Sequence, residues 1–327
     1  MTTVEEDLRE VREEEVSNHF AFRSPAPVSF GSFVKERREG RFRRESEQPS
    51  YAVPVDDDVR RTLSLIPFGR RIDDLLEKMI QFQLGPTLHN AVRISPRQFP
   101  ELYRVVDRCA NRLGIAVPRV MVVPDVRMNA YTVGTNDNHF IMLTSAMVEK
   151  CNDTELAFLL GHECGHIHCQ HLTYLALARL LAEWSSNFIQ FAPPILLQPL
   201  RMLLQVPLSA WQRKAELTCD RAGLLCSGDL TGSLRALAKH VVQAPELARK
   251  LDLDEYLSQL EAATEESTLS KLPEYLAAFP FIPKRMAALK LFARSEVYYE
   301  FTHEERPPDL LSREELEKAT DRVTSIL

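Results

Sequence analysis

Within the run Gly161-His162-Glu163-Cys164-Gly165-His166, two histidines and a glutamate are spaced to do chemistry. The run sits inside what reads as a helix. Positions four apart there stack on one face about 5–6 Å from each other, so the imidazoles of His162 and His166 can converge on one metal ion. Glu163 stands beside them. A zinc ion with three protein ligands keeps a position for water and lowers that water's pKa to roughly 7, where a neighbouring carboxylate can take its proton. That is the chemistry of peptide hydrolysis. The spacing predicts a zinc hydrolase carrying one Zn2+ per chain, with His162 and His166 as ligands and Glu163 as general base and then acid.

A chance match to this spacing is about a one-in-a-hundred event for a chain of this length, so the reading needs a third ligand. The solution with a third histidine on an extended motif requires Gly at 169 and His at 172. Those positions hold Cys169 and Leu172, with His171 one residue short of register, so that class is excluded. A later helix supplies the other solution. In Arg213-Lys214-Ala215-Glu216-Leu217-Thr218-Cys219-Asp220, Glu216 is the third ligand. Asp220, one turn further on the same face, can accept the second ring N–H of a zinc-bound histidine. A solvated acidic face does not suit neighbours such as Leu217 and Cys219. His168 and His171 complete no sensible ligand set and read as structural.

With these residues in view, the sequence resembles the gluzincin metallopeptidases that include the HtpX heat-shock proteases and the CAAX prenyl endopeptidases. The likeness runs from about residue 97 to 300 in ordered blocks. Asn129-Ala130-Tyr131-Thr132-Val133-Gly134 is similar to the family's active-site edge strand, which implies that Asn129, Ala130 and Tyr131 bind substrate backbone. Glu155-Leu156 precedes the histidine helix as expected, and the motif extends through His171. Arg213, Glu216 and Asp220 match the second zinc motif, with Cys219 where alanine is usual. Phe279-Pro280 and Arg285 align with a His-Pro-x-x-x-x-Arg signature in which phenylalanine replaces the histidine, so that histidine's role is not carried over. The resemblance makes Arg285 a catalytic candidate, either stabilising the oxyanion or pairing with a carboxylate, and both roles stay open.

The chain has 327 residues, 45% of them hydrophobic, enough to bury a sizeable core in one large or two modest domains. A net charge of -6 gives no case for nucleic acid as a partner. Cys109, Cys151, Cys164, Cys169, Cys219 and Cys226 show no disulfide-framework spacing, and Cys164 and Cys219 lie within the metal motifs, so all six read as reduced thiols. The start of the chain has neither a basic n-region nor an apolar h-region, and the expected location is the cytoplasm. Residues 1–50 read as a disordered charged arm with a basic run from Lys35 to Arg44, and residues 51–96 as a helical arm packing on the core. Residues 97–300 form the metallopeptidase domain and 301–327 a tail helix capped by Ser312 and Glu315.

Ser95-Pro96 starts a predicted helix with Phe99, Leu102, Val105, Val106, Cys109 and Leu113 on its buried side and Gly114 at its end. Val120–Val123, Asn129–Val133 and Phe140–Leu143 predict a small antiparallel sheet, and Asn152 with Glu155 a capping box for the histidine helix. The expected fold is α+β and mainly helical, zincin-like, with that sheet and an active-site helix. The charge-free run Trp184–Leu200 is 17 residues and holds Ser, Asn, Gln and Pro, short of the roughly 20 apolar residues of a span. Residues 172–210 therefore read as a soluble hairpin over the cleft without integral insertion, peripheral membrane association staying open. The predicted function is a zinc metalloendopeptidase acting on extended or unfolded protein segments. The rivals are a catalytically inactive, zinc-stabilised interaction module and a membrane-associated quality-control protease.

Overall fold

The structure is a computed structural model that describes residues 48–54, 87–187, 194–264 and 280–324 with isolated positions 78, 80 and 85, and only the backbone over 180–207 and 259–264. The charged arm to residue 47, most of the helical arm and Phe279 lie outside the described residues.

Helix α1 (Pro100–Leu113) begins four residues later than the sequence predicts. Ser95 and Gln98 exchange backbone hydrogen bonds in a tight turn, and Phe99 caps the helix in the left-handed region at φ 59° with 47% of its surface exposed. The apolar stripe therefore starts at Leu102. Gly114 closes the helix at φ 68°, donating its N–H back to the last turn.

Four strands follow the order β1 (Val92–Arg93), β2 (Val120–Val123), β4 (His139–Thr144), β3 (Ala130–Gly134). The sheet is mixed, which corrects the antiparallel expectation. β1–β2 and β3–β4 are antiparallel, but β4 inserts between β2 and β3 and runs parallel to β2, Val120 opposite Ile141. Strand periodicity fixes which residues pair with a face, and it carries no information on the lateral order that makes this pair parallel. Among the described residues β3 is left at an edge.

After α2 (Ser145–Lys150), helix α3 (Asp153–His168) opens on the predicted capping box, Asn152 accepting from Glu155 N–H and Glu155 from Asn152 N–H. Every residue from Glu155 to His166 is buried, as befits a helix enclosed on all sides. α4 (Leu172–Asn187) leads to α5 (Pro194–Ser227), which continues from the hairpin's second arm into the second metal motif. Among the described residues no helix is long and apolar enough to cross a membrane. Further helices among the described residues are α6 (Leu230–Val242), α7 (Pro245–Lys250), α8 (Leu253–Thr264), α9 (Ile282–Phe292), α10 (Glu296–Thr302) and α11 (Arg313–Thr324).

The short segment 48–54 packs into the core. Tyr51 is fully buried, its hydroxyl 2.9 Å from His168 Nδ1, and Val53 N–H donates to Thr218 Oγ1 at 3.1 Å. Buried Arg221 of α5 gathers this segment and α11 together, donating to Tyr51 O at 3.2 Å, to both Glu317 oxygens at 2.8 and 3.2 Å and to Thr320 Oγ1 at 3.4 Å.

Helices α3 and α5 approach through glycines. A Cβ on Gly161 would stand 2.5 Å from Cys226 Cβ, and one on Gly223 would stand 2.7 Å from Phe158 O. Neither neighbour is the flexible end of a side chain, so the helices themselves would have to part. Gly161→Ala is expected to destabilise the protein by about 1–3 kcal/mol, the cost of overpacking outweighing the roughly 1 kcal/mol helix-propensity gain. A urea midpoint unchanged from the parent protein would show that this contact is not tight.

Candidate metal centre

α3 and α5 bring the predicted residues together. The rings of His162 and His166 lie 5.0 Å apart, and Glu216 reaches both: its Oε2 is 3.4 Å from His162 Nε2 and its Oε1 is 3.5 Å from His166 Nε2. All three side chains are buried. Direct imidazole–carboxylate hydrogen bonds usually fall at 2.7–3.2 Å. Tetrahedral zinc with bonds near 2.0–2.2 Å instead puts neighbouring nitrogen and oxygen ligands about 3.4 Å apart. The donor set, two imidazoles and a carboxylate that turns one oxygen to each, is one that Zn2+ takes.

Asp220, one turn beyond Glu216, receives the other face of His162, its Oδ1 3.0 Å from Nδ1. Arg285 arrives from α9 with all three guanidinium nitrogens turned to carboxylates. Nε and Nη2 donate to Asp220 at 2.7 and 2.6 Å, and Nη1 lies 3.2 Å from Glu216 Oε2. Of the two roles left open for Arg285, these contacts are of the carboxylate-pairing kind.

The electrostatics follow from this packing. Burial alone would raise Glu216 and Asp220, but the charge of Arg285 and the neighbouring imidazoles hold Glu216 well below and Asp220 below the usual carboxylate range. Burial disfavours a charged His162, yet its hydrogen bond to Asp220 and the adjacent Glu216 carboxylate prevail and lift it to about 10. His166 is lowered, chiefly by burial.

Glu163 is buried beside the pair, and Thr132 of β3 donates its hydroxyl to Glu163 Oε2 at 2.5 Å. Sequence reasoning placed Thr132 in the edge strand without a role. Strand alternation could have found it, since it shares a face with Ala130. Ile141 N–H bonds across to Arg119 O, so Thr132, opposite Ile141, turns its own peptide groups to the outer edge. By the same alternation Ala130 does so too. Asn129 instead accepts from Thr144 N–H, and Tyr131 pairs inward with β4. Arg179 of α4 donates to the outward Thr132 carbonyl at 3.4 Å.

A second donor set overlaps the first. Cys219 Sγ lies with nitrogens of His162 and His166, all within 4.8 Å of one another. Its 3.6 Å contact to His171 Nδ1, however, draws the sulfur toward that ring, whereas Glu216 meets both Nε2 atoms. The two sets differ in one donor, the Glu216 carboxylate or the Cys219 thiol.

A model of Peptidase family M48 matches residues 96–293, more than half of the chain. The chain is 26% identical over 281 residues to the plastoglobule-localized metallopeptidase 48 of Arabidopsis thaliana, covering 78% of this chain and 80% of that protein. It is 33% identical over 115 residues to a protease HtpX homolog of Moorella thermoacetica, covering 35% and 37% of the two chains, so it spans little more than a third of that relative. Among solved structures, S. mikatae Ste24p matches with a TM-score of 0.37 and 18% identity over 72% of this chain and 65% of that one.

Two outcomes are expected. Glu216→Ala should lose zinc, whereas Cys219→Ala should keep it at one per chain by elemental analysis; the reverse result would install the thiolate as ligand. Zinc must also replace the Nε2 proton that His162 carries below about pH 10. Apparent affinity should thus rise about tenfold per pH unit up to about pH 7, where a zinc-bound water begins to titrate as well. Calorimetry at pH 6 in buffers of different ionisation enthalpy should read about one proton released per zinc.

Proposed function

The chain belongs to Peptidase family M48, and from that premise we propose that it is a zinc-dependent endopeptidase cleaving extended or unfolded protein segments. The observation that carries this reading is the Glu216 carboxylate at 3.4 and 3.5 Å from the Nε2 atoms of His162 and His166, with Glu163 one residue along the same helix. His162, His166 and Glu216 would hold the ion, which when bound supplies a polarised water and positive charge for the developing oxyanion.

Glu163 takes the proton of the attacking water and delivers it to the leaving amine. Thr132 fixes the orientation of that carboxylate by donating to Oε2. Asp220 accepts the Nδ1–H of His162, leaving Nε2 as its ligating atom, and Arg285 locks Asp220 and Glu216 from behind. A substrate adds as a strand along β3, using the outward peptide groups of Ala130 and Thr132, and displaces Arg179 from the Thr132 carbonyl. Recognition through main-chain groups favours unfolded segments over a particular side chain. Thr132 thus joins substrate edge to base: its peptide group meets the substrate while its hydroxyl holds Glu163.

Glu163→Gln keeps the volume and removes the base, so zinc should stay near one per chain while hydrolysis of unfolded casein falls by roughly 10²–10⁴. Zinc-loaded parent protein that cleaves nothing would sink the peptidase reading and leave a zinc-stabilised binding module.

A further inference from the structure

The second ring nitrogen of His166 has a partner that the reading above does not use. His171, fully buried just past the end of α3, places its Nδ1 3.3 Å from His166 Nδ1. The backbone builds this approach, since His171 N–H donates to His166 O at 2.9 Å. Packing holds the ring in place. His166 meets His171 edge-on at 5.4 Å, His171 meets Trp211 of α5 at 5.4 Å, and Trp211 meets Tyr174 of α4 at 5.6 Å.

We propose that His171 is a positioning residue of the metal centre: its Nδ1 accepts the Nδ1–H of His166 and so fixes the tautomer and ring plane in which His166 Nε2 can ligate. The direction of this hydrogen bond follows from the chemistry. Two facing Nδ1 atoms can share one proton. If His171 donated it, neutral His166 would carry its own proton on Nε2, the atom that faces Glu216, and could not bind a metal there. Ligation therefore requires His166 to donate, with the His171 proton on Nε2. Cys219 Sγ, 3.6 Å from the same His171 nitrogen, is a weak donor and a weaker competitor for it. The two zinc-binding histidines are then oriented by different chemistry: His162 by an anionic carboxylate that also pairs with Arg285, and His166 by a neutral ring clamped between helices. This inference rests on the zinc reading of His166.

The test is zinc affinity of the full chain by chelator competition, alongside the thermal midpoint of each protein after zinc removal. His171→Phe keeps a ring against Trp211 and removes the acceptor; His171→Asn sets an amide oxygen where Nδ1 stood. The Phe variant should bind zinc about 10–100-fold more weakly, and Asn should restore affinity to within about threefold of the parent. His171→Leu stands in for Phe should that variant fail to fold. Parent-like affinity in the acceptor-less variants overturns the proposal. So does equal weakening by Phe and Asn in step with their thermal midpoints, which would make His171 a packing residue. A parent protein that holds no zinc overturns the zinc reading itself, and this inference with it.

Discussion

The close approach of α3 and α5 is the constraint on which the centre depends. Every candidate ligand sits on one of these two helices, and neither helix can carry a metal alone, because Glu216 must span two imidazoles on the other. Gly161 and Gly223 remove the side chains that would hold the axes apart. Interiors are packed densely enough that a shift of a few tenths of an ångström is resisted rather than absorbed. That stiffness suits a metal whose bonds tolerate little variation in length. The sheet then needs to deliver one hydroxyl, that of Thr132, and one edge.

Magnitudes rank the charged contacts around this pair. Lys318–Glu314 is an exposed contact four residues apart on one helix, worth about 0.3–0.5 kcal/mol. Arg285 with Asp220 and Glu216 is buried, and removing one partner of such a group typically costs about 3–5 kcal/mol because the others are left uncompensated. Lys239 plays a comparable part at the other end of α3, bonding Glu155 at 2.6 Å within the core. One buried cation thus secures the start of the histidine helix and another the carboxylates that face its end. The tail contributes little by comparison through its surface charges; it is held by Leu316, buried in the core, and by Arg221, which bonds Glu317 and Thr320.

Local features of this fold are written in local sequence. The capping box at Asn152 and Glu155, the glycine stop at 114 and the three longer strands each depend on residues within a few positions of one another. So does the His162–Glu163–His166 spacing. What was illegible is what depends on distant neighbours. The parallel pairing of β2 with β4 is a choice of lateral order, and the burial of Tyr51 requires α3 and α5 to be present as its walls. Phe99 shows the limit within a single helix, where its apolar character matched the stripe but its left-handed backbone turned it outward. Thr132 carries no role in the sequence reading, and His171 reads there only as structural, for another reason: spacing does not show which side chains stand behind Glu163 and His166.

Arg221 receives Tyr51 from 170 positions earlier and Glu317 from 96 positions later. Helices form from local contacts in well under a millisecond, whereas contacts of this separation wait on loop closure and are gained late. Two remote segments thus meet on one buried guanidinium in the helix that carries Glu216 and Asp220, so that cutting away either end of the chain would strip a hydrogen-bond partner from a cation one residue from Asp220.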